Sequence, residues 1–354
     1  MRGRGVTAVS GLGPWPGGEG ADVLEAQLTV LGDLAEVPTG VRGVPFLVQL
    51  AGRGPGADAT GRTAALLPGL PVELGPHGWK LADHGGADLR RADAYLREDL
   101  EALAIAGAGY SGPLAVTVTG PWTLAADLYL ARGDRVLSDP GAVREVGQAL
   151  AVAVGEHVAE VRRQVPGADV VVQVDEPLLA QVGAGVLPSF SGYSRLRAVP
   201  GPDLVEGLRP VLDAARAASA STVVHVGPAW VGVAPVVLAG ADAVGLAVGA
   251  WDERLWETVA RAVERGVGLW AALPPAKVSQ CAGPALGELA DAVSVPWRRI
   301  GLPLAALDDV TLLGASRAAG GGPGRGVVGT PDEHRALLAN LGRVADVLAE
   351  RAHA

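Results

Sequence analysis

Short apolar runs alternate along the chain with longer segments in which apolar residues recur every three or four positions. The runs lie at 5–11, 44–50, 112–121, 168–177, 222–226, 241–248, 267–273 and 309–314. Their continuous hydrophobicity predicts strands covered on both faces, as in a parallel sheet. The helical-period segments lie at 21–34, 88–107, 139–164, 202–219, near 231–239, and at 252–266, 284–293 and 332–351. In 88–107, Leu89, Ala92, Leu96, Leu100 and Leu103 share one helical face. Asp139 before Pro140, and Thr330 or Asp332, stand where helix caps belong.

Eight strands, each followed by a helix or a long excursion, predict an α/β fold. It is a single (β/α)8 TIM barrel spanning residues 1–354 as one domain, with extra excursions around 51–111. A doubly wound open sheet is the alternative. No G-x-G-x-x-G follows the first strand, which weakens dinucleotide binding. The glycine-dense stretch 314–326 reads as a loop over a barrel mouth or an anion cradle.

Composition narrows the partners. The chain is 49% hydrophobic and 19% charged, with a formal net charge of −9. No basic face is visible, so no nucleic-acid partner is expected. No apolar stretch approaches the roughly 18–20 residues of a membrane span, and no leader is legible, so no membrane partner and a cytoplasmic location are expected. Cys281 is the single cysteine. It excludes an intrachain disulfide and a thiolate metal cluster, and it reads as a structural thiol rather than a nucleophile.

In a barrel the functional groups sit at the carboxyl ends of the strands. Those ends offer Ser10 and Gly11, then Thr119, then Asp175 and Glu176, then His225; the later strands end in Ala247, Leu273 and Gly314. The mouth is thus polar on one side and bland on the other. Adjacent strand residues face opposite ways, so of Asp175 and Glu176 one can face the mouth while the other pairs with a neighbouring loop or caps a turn. A carboxylate at the mouth suits a cationic substrate group. His225 can move a proton, contribute to a metal site or fill a core.

"VVVQVDEPLL", "VTVTGPWTLA" (116–125), "TAVSGLGPWPGGEGADVLEAQ" (7–27) and "RGPGADATGRTAALL" (53–67) together resemble cobalamin-independent methionine synthase. They are most similar to the short actinobacterial relatives of its catalytic C-terminal domain. The resemblance implies a barrel shared with uroporphyrinogen decarboxylase and a role in methionine biosynthesis. It implies methyl transfer from a folate or corrinoid donor to a homocysteine thiolate held on zinc. It assigns Asp175 to the amino group of an amino-acid-like small-molecule substrate, Ser10 and Gly11 to contacts with the amino acid, and Thr119 to a mouth segment near the methyl donor; Glu176 is a further substrate-binding candidate from its place at the strand end. It assigns His225 to the first zinc-ligand position and, without zinc, to a catalytic base.

The remaining zinc positions fall on or near Gly227, Ala247 and Gly314, and the proton-shuttling histidine near Leu273. The expectation is a degenerate zinc site: the resemblance brings zinc as a cofactor, and these residues do not support it. Two readings stay open: an S-methyltransferase-type enzyme with a reassigned acceptor, or a catalytically silent barrel that binds a small molecule or a partner.

Overall fold

The computed structural model describes residues 6–18, 20–314, 327 and 329–353. Eight parallel strands form, seven of them on the expected runs: β1 Ala8–Gly11, β2 Arg42–Gly43, β3 Ser111–Thr119, β4 Gly167–Asp175, β5 Ser221–His225, β6 Ala243–Ala247, β7 Gly268–Leu273 and β8 Val310–Gly314. The exception is β2, which precedes the expected run 44–50; within that run Phe46 and Gln49 make only isolated bridges, to Ala115 and Pro14. All eight strands pair in parallel in the order β2-β1-β8-β7-β6-β5-β4-β3. The segment after β2 joins the two ends. Phe46 bridges Ala115 in parallel, the Ala115 N–H donates to Pro45 O (2.8 Å), and the Leu47 N–H donates to Ala115 O (2.9 Å). The ring is therefore closed, which sets the open sheet aside in favour of the barrel.

Gly314 shows which face is which. A Cβ added there would stand 2.5 Å from Leu337, on the helix Pro331–Ala352. Its parity is outward, and through the register it carries Leu312, Ala271, Leu246, Val244, Val224, Val174 and Val118 with it. These side chains are buried under the helices. The opposite parity lines the inside and carries the polar residues Thr117, Thr119, Gln173, Asp175 and His225.

The helical periodicity is realised with small shifts. Asp139 caps the helix Pro140–Gln164 by accepting from the Gly141 and Ala142 N–H groups. Thr330 and Glu333 form a reciprocal capping box on the last helix. The segment expected to end at 293 continues to Arg299. Short helices at Ala59–Ala65, Pro121–Asp127 and Leu179–Ala184, and a hairpin of Val72–Gly75 with Gly78–Leu81, are too brief to show a period in the sequence. The 51–111 excursion holds the first of these, the hairpin and the helix Ala87–Ala106. It is fastened by Asp99, which is fully buried and pairs with Arg53 (2.5 Å) and Arg62.

Of the 314–326 stretch, only Gly314 lies within the described residues, as the end of β8. Among the described residues no helix is long and apolar enough to cross a membrane.

Candidate functional site

Register brings the polar strand ends together. Thr119 pairs with Asp175, Asp175 with His225, and His225 with Gly245. Neighbouring strands lie about 4.8 Å apart, and residues in register share a face. One row across the inner wall at the mouth therefore carries a hydroxyl, a carboxyl and an imidazole. Ser10 lies on the same face through its ladder to Leu313, Ala272 and Ala247.

Proximity does not make these groups equivalent, because most are already engaged. The Ser10 hydroxyl is fully buried and donates to Val44 O (2.8 Å), stitching β1 to the closing segment. Gly11 makes room for the Phe46 ring, which lies 2.4 Å from where its Cβ would stand. Thr119 donates through Oγ1 to Ala59 O (3.1 Å), and its N–H donates to Thr63 Oγ1 (2.9 Å), which fixes the helix Ala59–Ala65.

Glu176 has the most demanding structural part. The Trp122 N–H (2.8 Å), Thr123 N–H (2.8 Å) and Thr123 hydroxyl (2.7 Å) all donate to its carboxylate. It thus serves as the missing N-cap of the helix Pro121–Asp127, whose own cap position is Gly120. That glycine is required: a Cβ there would stand 2.4 Å from the Glu176 Cγ. Thr123 Oγ1 also accepts from the Leu178 N–H (3.2 Å), so its one proton is free to go to Glu176. Burial still pushes the Glu176 carboxyl up to about 7, against the pull of these donors. The sequence offered Glu176 as a substrate contact, and the structure seats it beneath the mouth as a cap.

Asp175 and His225 remain. Among the described residues no hydrogen bond or ion pair reaches the Asp175 carboxylate, which is only partly accessible. Burial without a counter-charge raises its pKa to about 7. His225 is 4% exposed, and its Nε2 is buried without a partner among the described residues. Burial lowers its pKa to about 4, so the ring is neutral at pH 7. The ring lies over Gly245, where an added Cβ would stand 2.3 Å from the His225 Cδ2. Gly245 escaped the sequence reading, although a glycine inside an apolar strand signals close approach.

The residues do not fit a zinc ion. Among the described residues no group of three or more His, Cys, Asp or Glu side chains is placed to hold a metal. Gly227 has a φ of +64°, a left-handed conformation that disfavours a ligating side chain. Gly314 faces the last helix rather than the mouth. Cys281 is buried beyond the end of β7, in the turn after the short helix Pro275–Ser279, and its thiol is pushed up by burial and by Glu288.

No protein-family profile matches the chain, and no curated protein matches it by sequence. Among solved structures it is similar to a B12-independent methionine synthase from Shewanella sp. W3-18-1, determined in complex with selenomethionine. That superposition has a TM-score of 0.59 and 10% identity and covers 98% of both chains. Looser superpositions reach the carboxyl transferase domain of Rhizobium etli pyruvate carboxylase (TM-score 0.38, 13% identity, 98% of this chain and 48% of that one). They also reach tryptophan synthase from M. tuberculosis (TM-score 0.39, 13% identity, 98% and 94%). At these identities what is shared is the architecture, and the chain has a methionine-synthase-like barrel fold.

Proposed function

We propose that the chain is a methyltransferase-type barrel with a reassigned acceptor, binding a small amine-bearing molecule at the mouth between β4 and β5. The observation that carries this reading is the pairing of Asp175 with His225: adjacent in register, inward-facing, and both with unengaged polar atoms. A cationic amine beside Asp175 returns the carboxylate to its ionised form and gains a charge-assisted hydrogen bond. His225, neutral at working pH, offers one nitrogen as an acceptor for a proton leaving the substrate. The fold-level likeness to an enzyme whose structure is a complex with selenomethionine supports an amino-acid-like ligand.

Zinc-activated thiolate chemistry is not part of the proposal. A thiol without zinc keeps a pKa near 8.5 and is mostly protonated at pH 7. Metal analysis after dialysis, paired with a homocysteine methylation assay, tests this. The expected outcome is no stoichiometric zinc and no turnover at enzyme-like rates; one zinc per chain with rapid turnover overturns it. A second reading, binding without turnover, draws its support from the bland β6–β7 wall, where Gly245, Ala247 and Ala272 supply no partner for acid–base chemistry. Titration with amino acids tests the binding step common to both. Asp175→Asn should weaken affinity about tenfold or more through the lost charge-assisted bond. Unchanged affinity for every amino acid that binds removes Asp175 from this role.

A further inference from the structure

Gln173 interrupts the run "VVVQVD" two residues before Asp175, on the same inward face. It is fully buried. Its amide orientation follows from proton bookkeeping. The Thr117 hydroxyl donates its only proton to Leu12 O (3.0 Å). Toward Gln173 it can therefore only accept, and it does so from Nε2 (3.1 Å). The NH2 end is thus fixed toward β3, and Oε1 points away from it, buried and without a partner among the described residues. A buried carbonyl left unpaired is costly, so this acceptor awaits a donor.

The position of that acceptor is informative. Thr117 beside it and Asp175 above it, on the same inward face, are both partly accessible, so solvent reaches the side chains that flank the buried Gln173. Residues two apart on a strand are separated by about 6.6 Å, which a short carbon chain can bridge. A thiol is a poor occupant, since S–H is a weak donor, whereas a hydroxyl is a strong one.

We infer that Gln173 is a specificity-determining residue of the mouth site, whose Oε1 accepts a hydrogen bond from a hydroxyl of a substrate held by its amine at Asp175. The ligand class is then a short hydroxy-amino acid. This rests on the amine-binding reading of Asp175 given above.

The test compares L-homoserine with O-methyl-L-homoserine by calorimetric titration at pH 8. The wild-type protein should bind homoserine about tenfold or more tightly than its methyl ether. Gln173→Met should abolish that preference while still binding the ether, which also reports that the variant is folded. In unmutated protein with labelled glutamine side chains, the Gln173 carboxamide signals should shift with homoserine and stay put with the ether, a readout independent of any variant. Equal wild-type affinity for the two ligands, with Asp175→Asn still weakening both, overturns the role of Gln173 alone. Binding of neither ligand, or binding indifferent to Asp175→Asn, overturns the mouth-site reading and this inference with it.

Discussion

The two halves of the inner wall differ in kind. On β3–β5 the inward positions toward the mouth are Thr117, Thr119, Gln173, Asp175 and His225, with Val223 among them; on β6 and β7 the inward positions are Ala243, Gly245, Ala247, Gly268 and Ala272, with Trp270 among them. The first half holds chemistry; the second holds small residues around one buried indole. The imidazole of His225 belongs to the polar half by sequence yet lies over Gly245, so the small residues opposite decide where its ring sits. On the proposed reading a ligand is oriented from the polar side, while the small residues opposite place the imidazole. Substituting either side should therefore fail differently.

The largest effect is expected under the polar half. Glu176→Ala removes three hydrogen bonds and leaves buried N–H groups unpaired, for a loss of about 3 kcal/mol. Glu176→Gln keeps one acceptor oxygen and should lose markedly less; chemical denaturation of the pair measures the difference. On the bland half, Gly245→Ala collides with the imidazole and should cost about 1–3 kcal/mol while displacing the ring. The nitrogen chemical shifts of His225 report the displacement. An unchanged ring would mean that Gly245 does not place it.

The charged pair separates by pH. Asp175 has a raised pKa, so its folded form stays protonated where the unfolded chain is ionised; its contribution is present at low pH and is lost as pH rises through about 7. Asp175→Asn should therefore gain stability over wild type on going from pH 5 to pH 8, by about 1–2 kcal/mol after screening. His225 has the opposite sign. Its folded pKa lies near 4, so stability is lost as pH falls below the unfolded value of 6.5. By pH 5.5 this amounts to about 1 kcal/mol. His157 is lowered to about 4 as well, so the effect is read as the difference between wild type and His225→Leu. Matching slopes for the two proteins would remove His225 from the account.

The barrel was legible because each strand except β2, the two residues Arg42–Gly43, is one local apolar run, and the long helices because their periods extend over many turns. Asp139 and Thr330 showed as caps for the same reason, since a cap acts within three residues. Reading strand ends put Asp175 and His225 at one end of the barrel; only the register makes them neighbours. What stayed hidden depends on distant partners. Glu176 caps a helix more than fifty positions away, and nothing in "DEP" distinguishes that from a ligand contact. Ser10 and Thr119 are consumed by Val44 and Ala59 in the same way. Gln173 could have been singled out as the polar break in a valine run at the parity of Asp175, but its free oxygen is visible only once the Thr117 proton has been assigned.

The closure of the ring also sets an order in time. β1 pairs with β8, and the Thr7 hydroxyl donates to Leu307 O, 300 residues further on. A ribosome adding about 5–20 residues per second needs roughly 15–60 s to supply that partner. Throughout this interval one side of β1 presents unpaired backbone, as does the latest strand made, and such edges invite pairing with other chains. The nascent protein is therefore most exposed to aggregation late in its synthesis, just before β8 and the helix Pro331–Ala352 emerge to seal the ring.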